Sequence, residues 1–457
     1  MSIFLPLFAV LVTVLAGVAL IKRYSTPMVL FFAGLVLLFA VAALSDASFL
    51  PKGAKATGFV GFDIFATLTA IATKQAAGIG FIIMTAGGFA AYMDRIGAAR
   101  ALVNVAVKPL RMLHAPYMVL AAGYLVGQIL VAVIPSAAGL AMLLLVALFP
   151  ILKGVGTSAA AGAAVIGTSA GITFAPTAGT ANLAAKVAGL DPILYLVQYQ
   201  LKIAVPTLLI VAVAHYFVQR YYDRKGDDVY AQATDVKADA DIPEVPGYYA
   251  LFPVLPIALM IIFSKLVVTS IKLDTVSALF LVWALVVVIE VVRSRSVKKV
   301  FKDAMAMFQA MGKMFGGIVA LIICAEFFAT GLKASGLIDL IISSSNSVGA
   351  GAGAMTVLLT AIVSVVTFLT GSGVGAFSSF ANLAPDVAQA LNSTVPALVT
   401  PMQMASGLIR AMSPVAGVII AVAGAAGVSP MAIVRRTWIP MSIGMLATLI
   451  LNQLFFG

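Results

Sequence analysis

The stretch Pro176-Thr177-Ala178-Gly179, trailed by Gly189 and Pro192, returns 238 residues later as Pro414-Val415-Ala416-Gly417, trailed by Gly427 and Pro430. Each copy interrupts an apolar segment. Proline removes a backbone donor and glycine loosens the chain, so helical hydrogen bonding fails at both places. In a bilayer such a failure survives only where the backbone faces protein or a watery cavity. Matched interruptions in two halves of a hydrophobic chain point to a secondary transporter with its binding site near the midplane.

Composition agrees with that class. Of 457 residues, 62% are hydrophobic and 10% charged, where a soluble domain carries about a quarter charged. The formal charge of +11 is gathered at the ends of apolar runs, at Lys22-Arg23, Arg95 to Arg111, Arg220 to Lys225, Arg293 to Lys302 and Arg435-Arg436. This is the pattern of the positive-inside rule, and it argues against nucleic acid as a partner. Cys324 is the single cysteine, which excludes an intrachain disulfide or a thiolate metal cluster. The N-terminus has no basic stretch ahead of its apolar run, which continues to Lys22-Arg23, so a retained first helix is expected.

The repeat extends beyond the Pro-Gly breaks. Phe62, Lys74, Gly78, Phe89, Ala90 and Gly97 match Phe301, Lys313, Gly317, Phe328, Ala329 and Gly336 at an offset of 239, and the turns near Ser136 and Gly371 correspond. The expected fold is therefore an all-α polytopic membrane protein of two inverted repeats, with about ten crossings, two re-entrant hairpins and two broken helices. The first repeat is residues 1–222, with its hairpin at about 116–152 and its broken helix at about 157–190. A mobile cytoplasmic linker occupies 223–247, where seven of the 17 acids lie. The second repeat is 248–457, with its hairpin at about 353–390 and its broken helix at about 397–427. A simple crossing is expected at 248–265.

If all five basic clusters are cytoplasmic, each hairpin enters and leaves on one side, the first opening inward and the second outward. The repeats are then inverted and both termini lie outside. Segments 59–75 and 299–315 would lie along opposite membrane faces, with Asp63 and Lys74, or Lys302 and Lys313, toward the headgroups.

Candidate binding residues fall at the tips and breaks. In Ile134-Pro135-Ser136-Ala137-Ala138-Gly139, Pro135 suits the first position of a helix. Ser136 and Gly139 then sit at a helix N-terminus aimed at midplane, a natural anion site. The second tip, Thr370-Gly371-Ser372-Gly373-Val374-Gly375, allows tight turning and close backbone approach by Gly371 and Gly373 beside the Ser372 hydroxyl. Small residues of this kind also serve close helix packing; their recurrence at matched positions favours a binding role. The first break supplies Pro176, Thr177, Gly179, Thr180 and Asn182, and the second Ser413, Pro414 and Gly417. Their hydroxyls and amides can donate to a carboxylate, and their freed carbonyls can accept from a cation.

Arg410, one turn before the second break, is the only arginine expected at depth, and its planar fork can hold a carboxylate by two parallel bonds. Glu326, the acid inside a crossing, can carry a coupled proton or pair with a neighbouring helix. Lys186 and Lys202 are expected at the surface or a polar seam. Gly167-Thr168-Ser169-Ala170-Gly171 fits the G-x-S-x-G hydrolase pattern but lies in an apolar helix, and both histidines, His114 and His215, are expected near cytoplasmic helix ends. No enzyme is expected.

Two opposed tips with hydroxyls and one arginine make a mildly positive pocket of near two-fold symmetry. A small anion suits it, a carboxylate at each end best of all.

The stretches GFAAYMDRIGA (88–98), LFPILKGVG (148–156), FAPTAGTANLAA (174–185), TGSGVGAF (370–377) and RAMSPVAGVIIAVAGAAGVSPMAIVRRT (410–437) resemble the DcuC family of anaerobic four-carbon dicarboxylate transporters, within the ion-transporter superfamily. The resemblance implies a bacterial inner-membrane carrier of succinate, fumarate or malate that works by efflux, exchange or symport. It implies coupling to Na+ or H+ without another cofactor, contact with membrane lipid, and often a homodimeric scaffold. The chain departs from the family pattern at Thr180, where an acid can stand, and at Glu326. Another carboxylate, an amino acid, or sodium/proton exchange on the same fold stays open.

Overall fold

A computed structural model describes residues 4–22, 24–45, 48–51, 55–226, 245–264, 267–337, 340 and 351–456. The linker expected at 223–247 falls largely on 227–244, outside the described residues.

The first half runs α1 (Phe4–Ile21), α2 (Thr26–Leu44), α3 (Val60–Gln75), α4 (Phe81–Arg95), α5 (Ala98–Val107), α6 (Pro116–Val131), α7 (Ala137–Ala147), α8 (Phe149–Gly154), α9 (Ala159–Thr168), α10 (Gly179–Val187), α11 (Pro192–Tyr195) and α12 (Leu201–Arg224). The second runs α13 (Leu255–Ile262), α14 (Thr275–Ser294), α15 (Val297–Met314), α16 (Ala320–Ala334), α17 (Ala352–Thr370), α18 (Gly373–Ala381), α19 (Ala384–Ala390), α20 (Val395–Arg410), α21 (Gly417–Ala426) and α22 (Pro430–Phe456). Among the described residues, seven helices are long and apolar enough to cross a membrane. Their outward faces carry large apolar side chains, such as Val205, Leu209 and Val213 on α12 and Leu281, Leu285 and Val288 on α14. Such faces suit lipid.

Several equivalent positions of the repeat adopt equivalent conformations. Gly97 and Gly336 have φ of 78° and 75°, and Gly189 and Gly427 both have 68°. Helices α3 and α4 are joined through one π-helical turn, Ala76–Gly80, and α15 and α16 through another, Phe315–Val319, again 239 residues apart. The two helix pairs so joined, the first kinked at Gly78, meet at their π turns, with α4 against α15 and α3 against α16. They therefore run antiparallel, the relation expected of inverted copies.

Three expectations need correcting. The segment at 299–315 is not a separate helix, because it continues through its π turn into α16 as one helix of 38 residues, whereas Gly78 (φ −91°, ψ −111°) kinks the chain between α3 and α4. The crossing expected at 248–265 is a 3-10 turn, Gly247–Leu251, followed by the eight residues of α13. Pro253 and Pro256 interrupt helical bonding there, and eight residues rise only ~12 Å. Asp223, assigned to the linker, belongs to the last turn of α12 and is buried against Arg436.

Candidate functional site

The breaks begin where the first segments of the two broken helices, α9 and α20, end. Between Thr168 and Gly179 the backbone leaves the helix around Pro176, and between Arg410 and Gly417 around Pro414. Side chains then take up freed carbonyls. Asn182 Nδ2 donates to the Pro176 carbonyl at 2.5 Å and to that of Ala178 at 3.1 Å. Each break is also tied to its own hairpin. Thr177 Oγ1 donates to the Ala132 carbonyl at 2.8 Å, and Ser413 Oγ to the Phe368 carbonyl at 2.7 Å.

The tips share a device. Ser136 caps α7 and accepts from Gly139 N at 3.1 Å, while Ser372 caps α18 and accepts from Gly375 N at 3.2 Å. Each hydroxyl satisfies one free donor of its helix N-terminus and leaves the earlier N–H groups for a ligand. Pro135 thus stands before the cap rather than at the first helical position, where the sequence placed it, because Ser136 is the better cap. Gly371 closes α17 with a φ of 70°, and a Cβ on it would meet Val415 O at 2.7 Å. Only glycine lets this tip lie against the second break.

The halves interlock at the breaks. α7 packs on α21, and α18 on α10, so each hairpin's second arm touches the other half's broken helix. Where they meet is a cavity of about 650 Å³ lined by Ser136, Gly139, Thr177, Gly179, Gly371, Ser372, Gly373, Arg410 and Gly417 among others. Asp94 and Lys313 complete its charged lining. Arg410 ends α20 and donates from Nη2 to the Ala170 carbonyl at 2.7 Å, fastening it to the other half's break. Its Nε is buried with no hydrogen-bond partner. A guanidinium anchored on one side with an unused buried donor is suited to an anion.

Other expected site residues lie outside this lining. Thr180 faces Thr173, with the two hydroxyls 3.0 Å apart, and accepts from Gln403 Nε2 at 3.2 Å. Asn182 and Ser413 make the bonds given above, and Pro176 and Pro414 shape the breaks without lining the cavity. Glu326 stands apart on α16, its Oε2 buried without a hydrogen-bond partner, in electrostatic contact with Lys186 and Lys74. Lys186 donates to Gln75 Oε1 at 2.6 Å, so it belongs to a polar seam and not to the surface.

The sequence reading missed several groups. Lys313 lines the cavity. Gln403 bridges the halves, donating to the Thr173 carbonyl at 2.8 Å and accepting from Gln200 Nε2 at 3.0 Å. Arg436 is 2% exposed and pairs with Asp223 Oδ1 at 2.6 Å. His215 is fully buried in α12 and not at a helix end, with Nε2 3.1 Å from Thr168 Oγ1. Gln219 Nε2 lies 3.3 Å from His215 Nδ1 and donates to the Arg436 carbonyl at 2.9 Å. Ser169 of the hydrolase-like stretch donates to the Val165 carbonyl of its own helix at 3.0 Å. That hydroxyl is a helix partner and no nucleophile.

The sequence matches the DcuC family, described as a C4-dicarboxylate anaerobic carrier, over residues 4–455. It is 33% identical over 445 residues to the anaerobic C4-dicarboxylate transporter DcuC of Escherichia coli K12, covering 97% of this chain and 95% of that relative. Identity to the Vibrio cholerae serotype O1 protein named "Probable anaerobic C4-dicarboxylate transporter DcuC" is 32%, covering 97% and 96% of the two chains. Among solved structures, Neisseria gonorrhoeae MtrF, from a class of antimetabolite efflux pumps, is similar with a TM-score of 0.63 at 15% identity, covering 96% of this chain and 97% of that one. The Alcanivorax borkumensis YdaH transporter follows with a TM-score of 0.54 at 15% identity, covering 94% and 98%. At these identities the two structures inform the fold alone.

Proposed function

We propose, since this chain belongs to the DcuC family of anaerobic C4-dicarboxylate carriers, that its cavity binds a four-carbon dicarboxylate and passes it across the membrane by alternating access. The chain is a transporter of the bacterial inner membrane and not an enzyme. The observation that carries the substrate reading is Arg410, which lines the same cavity as the two capped helix N-termini and has an Nε donor without a partner. One carboxylate can take the guanidinium, and the free N–H groups behind Ser136 or Ser372 add to the attraction.

In this reading the tips and breaks grip the substrate. The long helices α3–α4 and α15–α16 are the support they move against. Asp94 adjoins Arg95, which pairs with Asp303 at 2.9 Å, and so two of the basic clusters meet at that end. The positive-inside rule makes that end cytoplasmic, so the cavity faces inward.

Coupling to H+ or Na+ is assigned to Glu326, whose unpartnered buried oxygen and neighbouring Lys186 give a charge that protonation or a cation can reset. This feature favours, as the second reading, sodium/proton exchange on the same fold. Lipid covers the outward apolar faces, and a homodimer through the scaffold is part of the proposal, read by light scattering of the purified protein.

Counterflow of labelled succinate into proteoliposomes loaded with unlabelled succinate, fumarate or malate tests the function. Accumulation driven by a four-carbon diacid is expected. Cation exchange without counterflow by any such diacid contradicts the substrate reading.

A further inference from the structure

Lys313 carries a charge that the reading above does not use. It occupies the last turn of α15 and lines the cavity together with Ala310, Met314 and Ile318 of the same helix. Among the described residues it makes no hydrogen bond or ion pair. The basic group at the start of α15 ends at Lys302, and Lys313 follows it by ~16 Å of continuous helix. Lys313 is exposed and lines the cavity, so its ammonium is open to water or to an anion there.

The charged lining of the cavity consists of Arg410, Lys313 and Asp94. Arg410 closes α20 at the second break and Lys313 belongs to α15, so the two cations reach the cavity from different helices. A dianion with its carboxylates at opposite ends matches two separated cations. A monoanion matches one.

We propose that Lys313 is the ligand of the second carboxylate and so sets the preference for two-carboxylate over one-carboxylate substrates. This rests on the dicarboxylate reading of the same cavity. In the state captured here the first carboxylate takes the Arg410 fork, and Lys313, a flexible point charge, reaches the other end. Asp94 is the one acid in the lining and repels a carboxylate placed elsewhere along that wall.

The test is equilibrium competition binding on the full-length purified protein, with succinate and butyrate as paired probes, for the native chain, Lys313→Gln and Lys313→Arg. Butyrate keeps the chain length and lacks the second carboxylate. Lys313→Gln is expected to weaken succinate by about tenfold or more, as for loss of one hydrogen bond to a charged group. Butyrate should stay within about twofold on the same scale, and Lys313→Arg should restore most succinate binding. Lys313→Gln that leaves succinate unchanged, or weakens butyrate equally, overturns the proposal. Native protein that binds no succinate overturns the dicarboxylate reading as well, so the two failures are distinguishable.

Discussion

Replacing Arg410 by glutamine removes the one guanidinium in the cavity lining while keeping a polar side chain of moderate size. Two losses follow. The Ala170 carbonyl loses its donor at 2.7 Å, and an acceptor left without a partner costs about 1–3 kcal/mol of stability. The substrate carboxylate loses its charged fork, and truncating one member of a buried charge pair costs about 2–5 kcal/mol of binding. A central value of ~3 kcal/mol corresponds to roughly 150-fold in affinity. Arg410→Lys keeps the charge but not the planar pair of donors, and about tenfold is expected. Titration calorimetry with succinate on purified protein reads the affinities, and thermal melting in the same detergent separates folding from binding. Arg410→Gln that melts cooperatively and binds succinate within about threefold of the native protein would refute the assignment of Arg410 to the substrate.

Two further outcomes follow from the packing. Asp223→Ala takes the carboxylate from Arg436, whose side chain is 3% exposed, and from the Ser158 and Tyr117 hydroxyls, and melting should reveal a loss of about 3–5 kcal/mol. An apolar pair of similar volume at 223 and 436 should recover most of it. Ser136→Ala and Ser372→Ala each remove a cap and should cost ~1 kcal/mol locally, seen as faster hydrogen exchange at the starts of α7 and α18 with little change in global melting.

Much of this architecture could be read in the chain because the features concerned are local and chemically narrow. A Pro-Gly pair in an apolar run dictates a break wherever it falls, and both breaks lie where Pro176 and Pro414 require. Glycines with positive φ recur at Gly97 and Gly336 and at Gly189 and Gly427 because few other residues tolerate that backbone. What escaped the sequence depends on distant partners. Asp223 reads as one more linker acid until Arg436, 213 residues on, is brought beside it. Gln403 and Gln200 are two amides in different apolar helices, and only tertiary packing joins them. Lys313 reads as a membrane-surface lysine because the amphipathic run before it suggests a helix that stops. The π turn at Phe315–Val319 carries that helix onward into α16 and leaves the lysine in the cavity wall. The short α13 reads as a full crossing for the opposite reason, since its high hydrophobicity masks the breaks at Pro253 and Pro256.

The central claim, that the two hairpin tips meet across one cavity, is tested most directly by paired cysteines. In a Cys324→Ser background, Ser136→Cys and Ser372→Cys together should be joined by a short bifunctional maleimide, and succinate should slow the reaction. Two cysteines that are freely labelled from one membrane surface, never cross-link and ignore succinate would contradict it.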